Sequence, residues 1–503
     1  MRSLRLPLFF FLLSLLLGTA SAWAAACSSS VSCGFNACQT PSDAVAPDLW
    51  TRLEPVDALG LPTGTSSTIE SRDTTWNDRN GAYSLSKPYW QSMDIEDGWL
   101  FAGVNLGFQT WSLSNPRSPN RAGNVSSSAI PSLFSDPHEY FLIKDVDAPA
   151  GNSNVVTMTG GGSMGMVIWD TSNKNSPRIV YQDGGQSNEK YGEEVYATTI
   201  NGTVYGFLAA ARFDGAGLWM YDVSRALGLG SGVCIEQRPT ITNSNCNGVF
   251  KAKLSNAPMS HVDGAGNDTD GHFVVFSGGL AGGTGFEIWN VSDPDQPQSV
   301  MTGLSSDKVH GGALWLHEDK LYLALAVRFR DEGLIYDVSC LLTGACTLPS
   351  SPLYSFPLAN YSALTIATVT ASESNGKPFV FFGRRSGYSL SGLQSEWLFD
   401  ASGLPAADPV EITGGDPNNG NLGQPTMTVS GTTVGYWSWY YSCHPTGSNF
   451  FEPTDGMFNG EYFYRAGSSL FDVHELQDVV VSPSIFDSGF ETGNLTEWTS
   501  SAQ

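Results

Sequence analysis

Three histidines and two glutamates precede a recurring aromatic residue by a similar interval. His138 lies 31 residues before Trp169, His261 lies 28 before Trp289, His310 lies 26 before Tyr336, and Glu193 and Glu194 lie 28 and 27 before Tyr221. Imidazoles and carboxylates gathered from separate segments suit a divalent cation, or proton transfer on a bound substrate. Glu139 and Asp263, close to two of the histidines in sequence, could orient them through hydrogen bonds. The competing explanation is structural: polar residues recur because repeats share ancestry, each histidine donating to a neighbouring repeat's backbone.

Other chemical motifs are weaker. Gly161-Gly162-Ser163-Met164-Gly165 has the Gly-x-Ser-x-Gly spacing of a hydrolase elbow, but Val167-Ile168-Trp169 continues as a strand where that elbow needs a helix. Residues 263–271 are rich in oxygen ligands that could hold calcium, yet they lack the EF-hand spacing and its closing Glu, and a solvated hairpin loop fits them better. The sequence contains no Cys-x-x-Cys-His haem attachment motif and no phosphate-cradling Gly-x-x-x-x-Gly-Lys motif. Trp437, Trp439, Tyr440 and Tyr441 read as an aromatic strand whose alternation places one set in a core.

The aromatic positions Trp111, Trp169, Tyr221, Trp289, Tyr336, Phe399 and Phe471 each sit in a motif of apolar residues, an aromatic, Asp or a small polar residue, and usually Ser two positions later. Typical copies are Val167-Ile168-Trp169-Asp170-Thr171-Ser172, Trp219-Met220-Tyr221-Asp222-Val223-Ser224 and Leu334-Ile335-Tyr336-Asp337-Val338-Ser339. The steps between copies are 58, 52, 68, 47, 63 and 72 residues, long enough for a four-stranded sheet with loops and too long for one solenoid coil. The pattern predicts an all-β fold, a seven-bladed β-propeller of four-stranded antiparallel sheets, with six or eight blades as alternatives. Strands at 139–143, 154–159, 165–170 and 178–181 would form the second blade, and 48–55 could supply an outer strand. If the polar residues open the innermost strands, the ring converges them on one mouth of its central channel.

The copies Gly165 to Asn173 with Pro177, Phe286 to Pro294 with Pro297, and Gly333 to Ser339 resemble the LVIVD-repeat family of bacterial propeller proteins. The resemblance covers roughly 88–480, although the last two copies are degenerate and the intervals longer than the family's compact repeat. It implies a propeller and an extracytoplasmic location, with no common chemistry. Residues 482–503 contain Phe486-Asp487-Ser488-Gly489-Phe490-Glu491 and later Trp498, and they resemble the short tail ending many secreted bacterial proteins.

Composition bounds the partners. Arg2, Arg5, an apolar run from Leu6 to Leu17, and Ala22, Ala24 and Ala26 read as a secretory signal peptide over 1–26. A Cys-containing segment over 27–87, the propeller over 88–480 and a tail over 481–503 follow. No later stretch approaches the apolar length of a transmembrane segment. Net charge −24 argues against nucleic acid or an anionic membrane as partner. Eight cysteines in an exported chain read as disulfides. Cys234 with Cys246, and Cys340 with Cys346, would each staple a loop leaving a blade, while Cys27, Cys33, Cys38 and Cys443 could tie the N-terminal segment to the last blade. Ala24-Ala25-Ala26-Cys27 resembles a lipobox but lacks its Leu, and lipidation would leave seven thiols, an odd number.

The leading expectation is a secreted or cell-surface monomer whose blade loops bind a protein or carbohydrate, with a divalent cation as the one cofactor the residues leave open. The alternative is a propeller hydrolase or lyase with a divalent cation held by His138, His261 and His310.

Overall fold

Short β-branched and aromatic runs punctuated by tight turns become sheets. The computed structural model describes residues 53–58, 76–78, 81–83, 90–126, 143–278, 284–385, 396–411, 426–435 and 453–476, apart from short interruptions inside these ranges. Six four-stranded antiparallel sheets form a β-propeller arrangement, together with one five-stranded sheet. In chain order, sheets one to seven have inner strands Trp90–Glu96, Ile143–Asp147, Gly192–Ile200, His261–Asn267, Lys308–His317, Thr365–Ser374 and Pro453–Asn459. Each inner strand packs beside the next, and that of sheet seven returns to sheet one.

Uniform four-stranded antiparallel blades require one correction. Sheet two has five strands, because Cys234–Arg238, from the connection between the third and fourth strands of sheet three, runs parallel to Arg178–Gly185. The Tyr181 hydroxyl donates to Glu236 at 2.7 Å, and a Cys234–Cys246 disulfide holds the same connection. Cys340 and Cys346 are also joined, so both sequence-expected pairs form. Cys27, Cys33, Cys38 and Cys443 lie outside the described residues, as do the leader, the C-terminal tail and the aromatic run at 437–441. Closing a loop of 12 residues restricts the unfolded chain by about 3 kcal/mol. The Cys234→Ser/Cys246→Ser variant is therefore expected to unfold at lower urea, and an unchanged midpoint would show that the loop is held by its other contacts.

The repeated motif forms the third strand of each of these seven sheets, and its Asp-x-Ser ending is a turn device. Asp170, Asn290, Asp337 and Asp400 each accept the backbone N–H of the Ser two residues on, at 3.0 Å. The side chain thereby mimics a backbone turn as the strand ends. The Ser oxygen then accepts an N–H from the second strand: Val204 to Ser224 at 2.8 Å, His272 to Ser292 at 2.9 Å and Leu321 to Ser339 at 3.1 Å. First and second strands join through Asp97-Gly98, Asn201-Gly202 and Asn375-Gly376, all with positive φ, as two-residue hairpins require.

The last sheet is closed by the chain's early residues. Leu53–Ala58 pairs antiparallel with Leu470–Leu476 as the outer strand, slightly later than the expected 48–55. The apolar core is divided among the interfaces between sheets. Phe101, Phe108, Val146 and Trp169 pack between sheets one and two, and Val275, Leu314 and Leu323 between sheets four and five. Sheets approach too closely for any side chain at Gly264, where a Cβ would meet the Tyr196 ring and lie 2.6 Å from the Phe273 carbonyl. Gly264→Ala is expected to cost about 1–3 kcal/mol in urea unfolding, as overpacking does.

Candidate functional site

The inner strands start at one mouth of the ring, and alternation decides which side chains meet there. On the strand His261–Asn267, His261 and Asp263 share one face and Val262 the other. Asp263 bonds sheet five, whereas Val262 packs with Ile200 and Phe207 of sheet three. A bulge between Val309 and Gly311 sets the local register of the strand carrying His310.

The structure unites Glu194, His261 and His310. His261 Nδ1 lies 2.6 Å from Glu194 Oε1, and the second oxygen, Oε2, accepts the Val262 N–H at 2.9 Å. The His261 and His310 rings lie 4.4 Å apart between centroids, inclined at 51°. Both are buried, His261 at 7% and His310 at 1% exposure. Ser277, also buried, is the cross-strand partner of His261.

Glu194 contacts His261 directly. Asp263 Oδ2 accepts the Leu314 N–H of sheet five at 3.1 Å. His138 and Glu139 lie outside the described residues, and of Glu193 only its place in the strand Gly192–Ile200 is described. Among the described residues, no group of three or more His, Cys, Asp or Glu side chains is arranged to hold a metal ion. The oxygen-rich loop is likewise resolved into strand and turn: Asp263 lies in a strand, and Asp268 accepts the Asn201 N–H at 2.9 Å and contacts His272 Nε2 at 2.9 Å. Met164–Asp170 is a strand, as the sequence indicates, so no hydrolase elbow forms there.

No family model matches the chain, and no curated protein matches it. Among solved structures, Raptor from Chaetomium thermophilum aligns with a TM-score of 0.43 at 10% identity over 82% of this chain and 30% of that one. A structure of the COPII outer coat vertex on membranes aligns at 0.42 with 12% identity, over 78% of this chain and 85% of that one. A COPII coat assembled on membranes gives 0.42 and 12% over 78% of this chain and 47% of that one. This chain thus spans about a third of the Raptor chain it matches.

The pattern around Glu194 repeats around the ring through residues that sequence reading missed. Asp94 accepts the Ala148 N–H at 2.6 Å, Asp145 the Val195 N–H at 2.8 Å, and Asp147 the Ala197 N–H. Ser92 donates to Asp145 at 2.6 Å and accepts the Val146 N–H at 3.2 Å. Asp455 accepts the Met93 N–H at 3.4 Å and the Thr370 hydroxyl at 3.0 Å, and Ser372 accepts the Phe458 N–H at 3.3 Å. Each side chain thus satisfies a backbone donor on the neighbouring inner strand. Between sheets five and six the contact is apolar, with Ala313 and Trp315 packed in the cluster that holds Val369.

Burial leaves these carboxyls protonated far above the usual range. Desolvation raises Asp94 to about 7, Asp263 to about 8 and Asp455 to about 6. Asp145 and Asp147 are also pushed well up, by burial first and then by the charges of Glu194 and Asp94, respectively.

Proposed function

We propose that this chain is an exported binding scaffold, a propeller of LVIVD-like repeats in which the five-stranded sheet counts as a blade and makes the number seven. The carrying observation is that inner-strand polar side chains bond neighbouring sheets: Asp145 to Val195, Glu194 to Val262, Asp263 to Leu314 and Asp455 to Met93. Such bonds make a rigid frame, and the parts of a rigid frame free to vary are its loops. The two disulfides suggest an oxidising, extracytoplasmic environment. Among the described residues, no helix is long and apolar enough to cross a membrane. The partner is a protein or carbohydrate docked on the rim loops.

The test is to probe arrayed bacterial surface glycans and a secreted-protein fraction with the purified protein, with a His261→Ala/His310→Ala variant alongside. A scaffold gives saturable binding that survives in the folded variant and fails when the exposed turns at 268–270 and 318–319 are exchanged. Binding lost in the folded histidine variant and indifferent to the turns contradicts it.

One observation favours an enzyme instead: a carboxylate-held imidazole, His261 on Glu194, packed against a second imidazole, His310. Elemental analysis of the purified protein and of the same double variant separates the two. Stoichiometric metal that disappears from a folded variant would establish a metal centre at the mouth; unchanged metal content is the scaffold's expected result.

A further inference from the structure

The bonds between inner strands do more than hold the ring. Asp145 and Asp147 project from one strand onto the amides of Val195 and Ala197, and Asp94 projects onto the amide of Ala148 from the other side. The acceptors on this path are therefore ionisable, and they crowd one another. Glu194 and Asp455 face Asp145; Asp94, Asp145 and Asp263 face Asp147; Glu96 and Asp455 face Asp94. His261 is a basic side chain bonded into this set, through Glu194, and the His310 ring packs against it.

We propose that these inter-sheet bonds form a proton-controlled clasp, tightest in mildly acidic surroundings and loosened as the carboxyls between sheets one, two and three ionise together. A protonated carboxyl still offers its carbonyl oxygen to the neighbouring N–H, so the bond survives while the repulsion goes. An ionised set keeps the bonds but opposes the packing that brings the strands together.

The sign follows from the shifts. Asp94 at about 7 and Asp455 at about 6 both stand above the unfolded-chain value of about 3.9, and burial pushes Asp145 and Asp147 up as well. Groups raised in the folded state contribute stability that is fully present below about pH 4 and is lost as pH rises through the folded values. Between pH 5 and 8 the folded ring thus binds more protons than the unfolded chain, and stability falls as pH rises. Each excess proton changes the unfolding equilibrium constant by about tenfold per pH unit.

The experiment combines urea unfolding from pH 5 to 8 with peptide-resolved hydrogen exchange, corrected for intrinsic pH dependence, over 143–147 and 192–200. The wild-type protein should show an unfolding constant rising at least tenfold from pH 6 to 8, with exchange at these two strands accelerating together. Asp145→Asn/Asp147→Asn keeps acceptors while removing two charges, and should flatten both trends. Asp94→Asn, alone, should remove part of the slope and serves if the double variant fails to fold. Stability that rises with pH over this interval, or a slope unchanged in a folded Asn variant, overturns the clasp.

Discussion

Trp169→Ala is expected to lower the unfolding free energy by about 3–5 kcal/mol, the range for deleting a fully buried large aromatic. The indole is 1% exposed and stacks on Phe108 with ring centroids 4.6 Å apart. Around it lie Phe101, Val146 and Val156, so its removal opens a cavity where sheet one meets sheet two. Trp169→Phe keeps a ring in the same position and should cost less than half as much. Urea unfolding followed by circular dichroism measures both. An Ala variant within about 1 kcal/mol of wild type would mean that the interface collapses around the loss, a degree of relaxation rare in close-packed interiors.

Asp455→Ala should be the most damaging change among the inter-sheet carboxylates. One oxygen accepts the Thr370 hydroxyl at 3.0 Å and the Gly456 N–H at 2.9 Å, and the other accepts the Met93 N–H at 3.4 Å. A single side chain therefore ties sheets six, seven and one, next to where the chain closes on itself. Each buried donor left unmatched costs about 1–3 kcal/mol, and relief from burying the carboxyl offsets part, giving a net loss of about 2–4 kcal/mol. Asp455→Asn retains an acceptor and loses the charge that burial opposes. It should be much closer to wild type, and closer still above pH 6, where the native carboxyl is ionised. Equal losses for Ala and Asn would show that the contact depends on charge rather than on accepting hydrogen bonds.

The third strands were legible because their chemistry is local. An apolar run supplies the strand, its aromatic fills the interface, and Asp or Asn capping the amide two residues on repeats the same turn, as at Asp170, Asp337 and Asp400. The paired cysteines were legible for the same reason, being close in sequence on loops of their own. The inner strands were not. The sequence points to a strand at 139–143, of which only Ile143 is among the described residues, while Ile143–Asp147 is a strand whose alternation puts Asp145 and Asp147 on one face. Their acceptor role depends on amides about fifty residues away in the next sheet, a pairing that no local pattern announces. Intervals counted back to the motif did locate Glu194, His261 and His310, but could not tell that Asp263 would turn to Leu314. The outer strand Leu53–Ala58 contains Pro55, which lacks a donor and is tolerated at a sheet edge, a feature that weakens any strand signal.

The central claim is that the polar side chains at the mouth hold one sheet to the next. A double-mutant cycle on Glu194→Gln and His261→Asn, read by urea unfolding at pH 6, tests it most directly. The predicted result is destabilisation in each single variant and a coupling of about 1–3 kcal/mol between them, as expected for contacting buried partners. Wild-type stability in all three variants, with coupling near zero, would contradict it and leave the pair to be explained by chemistry at the mouth.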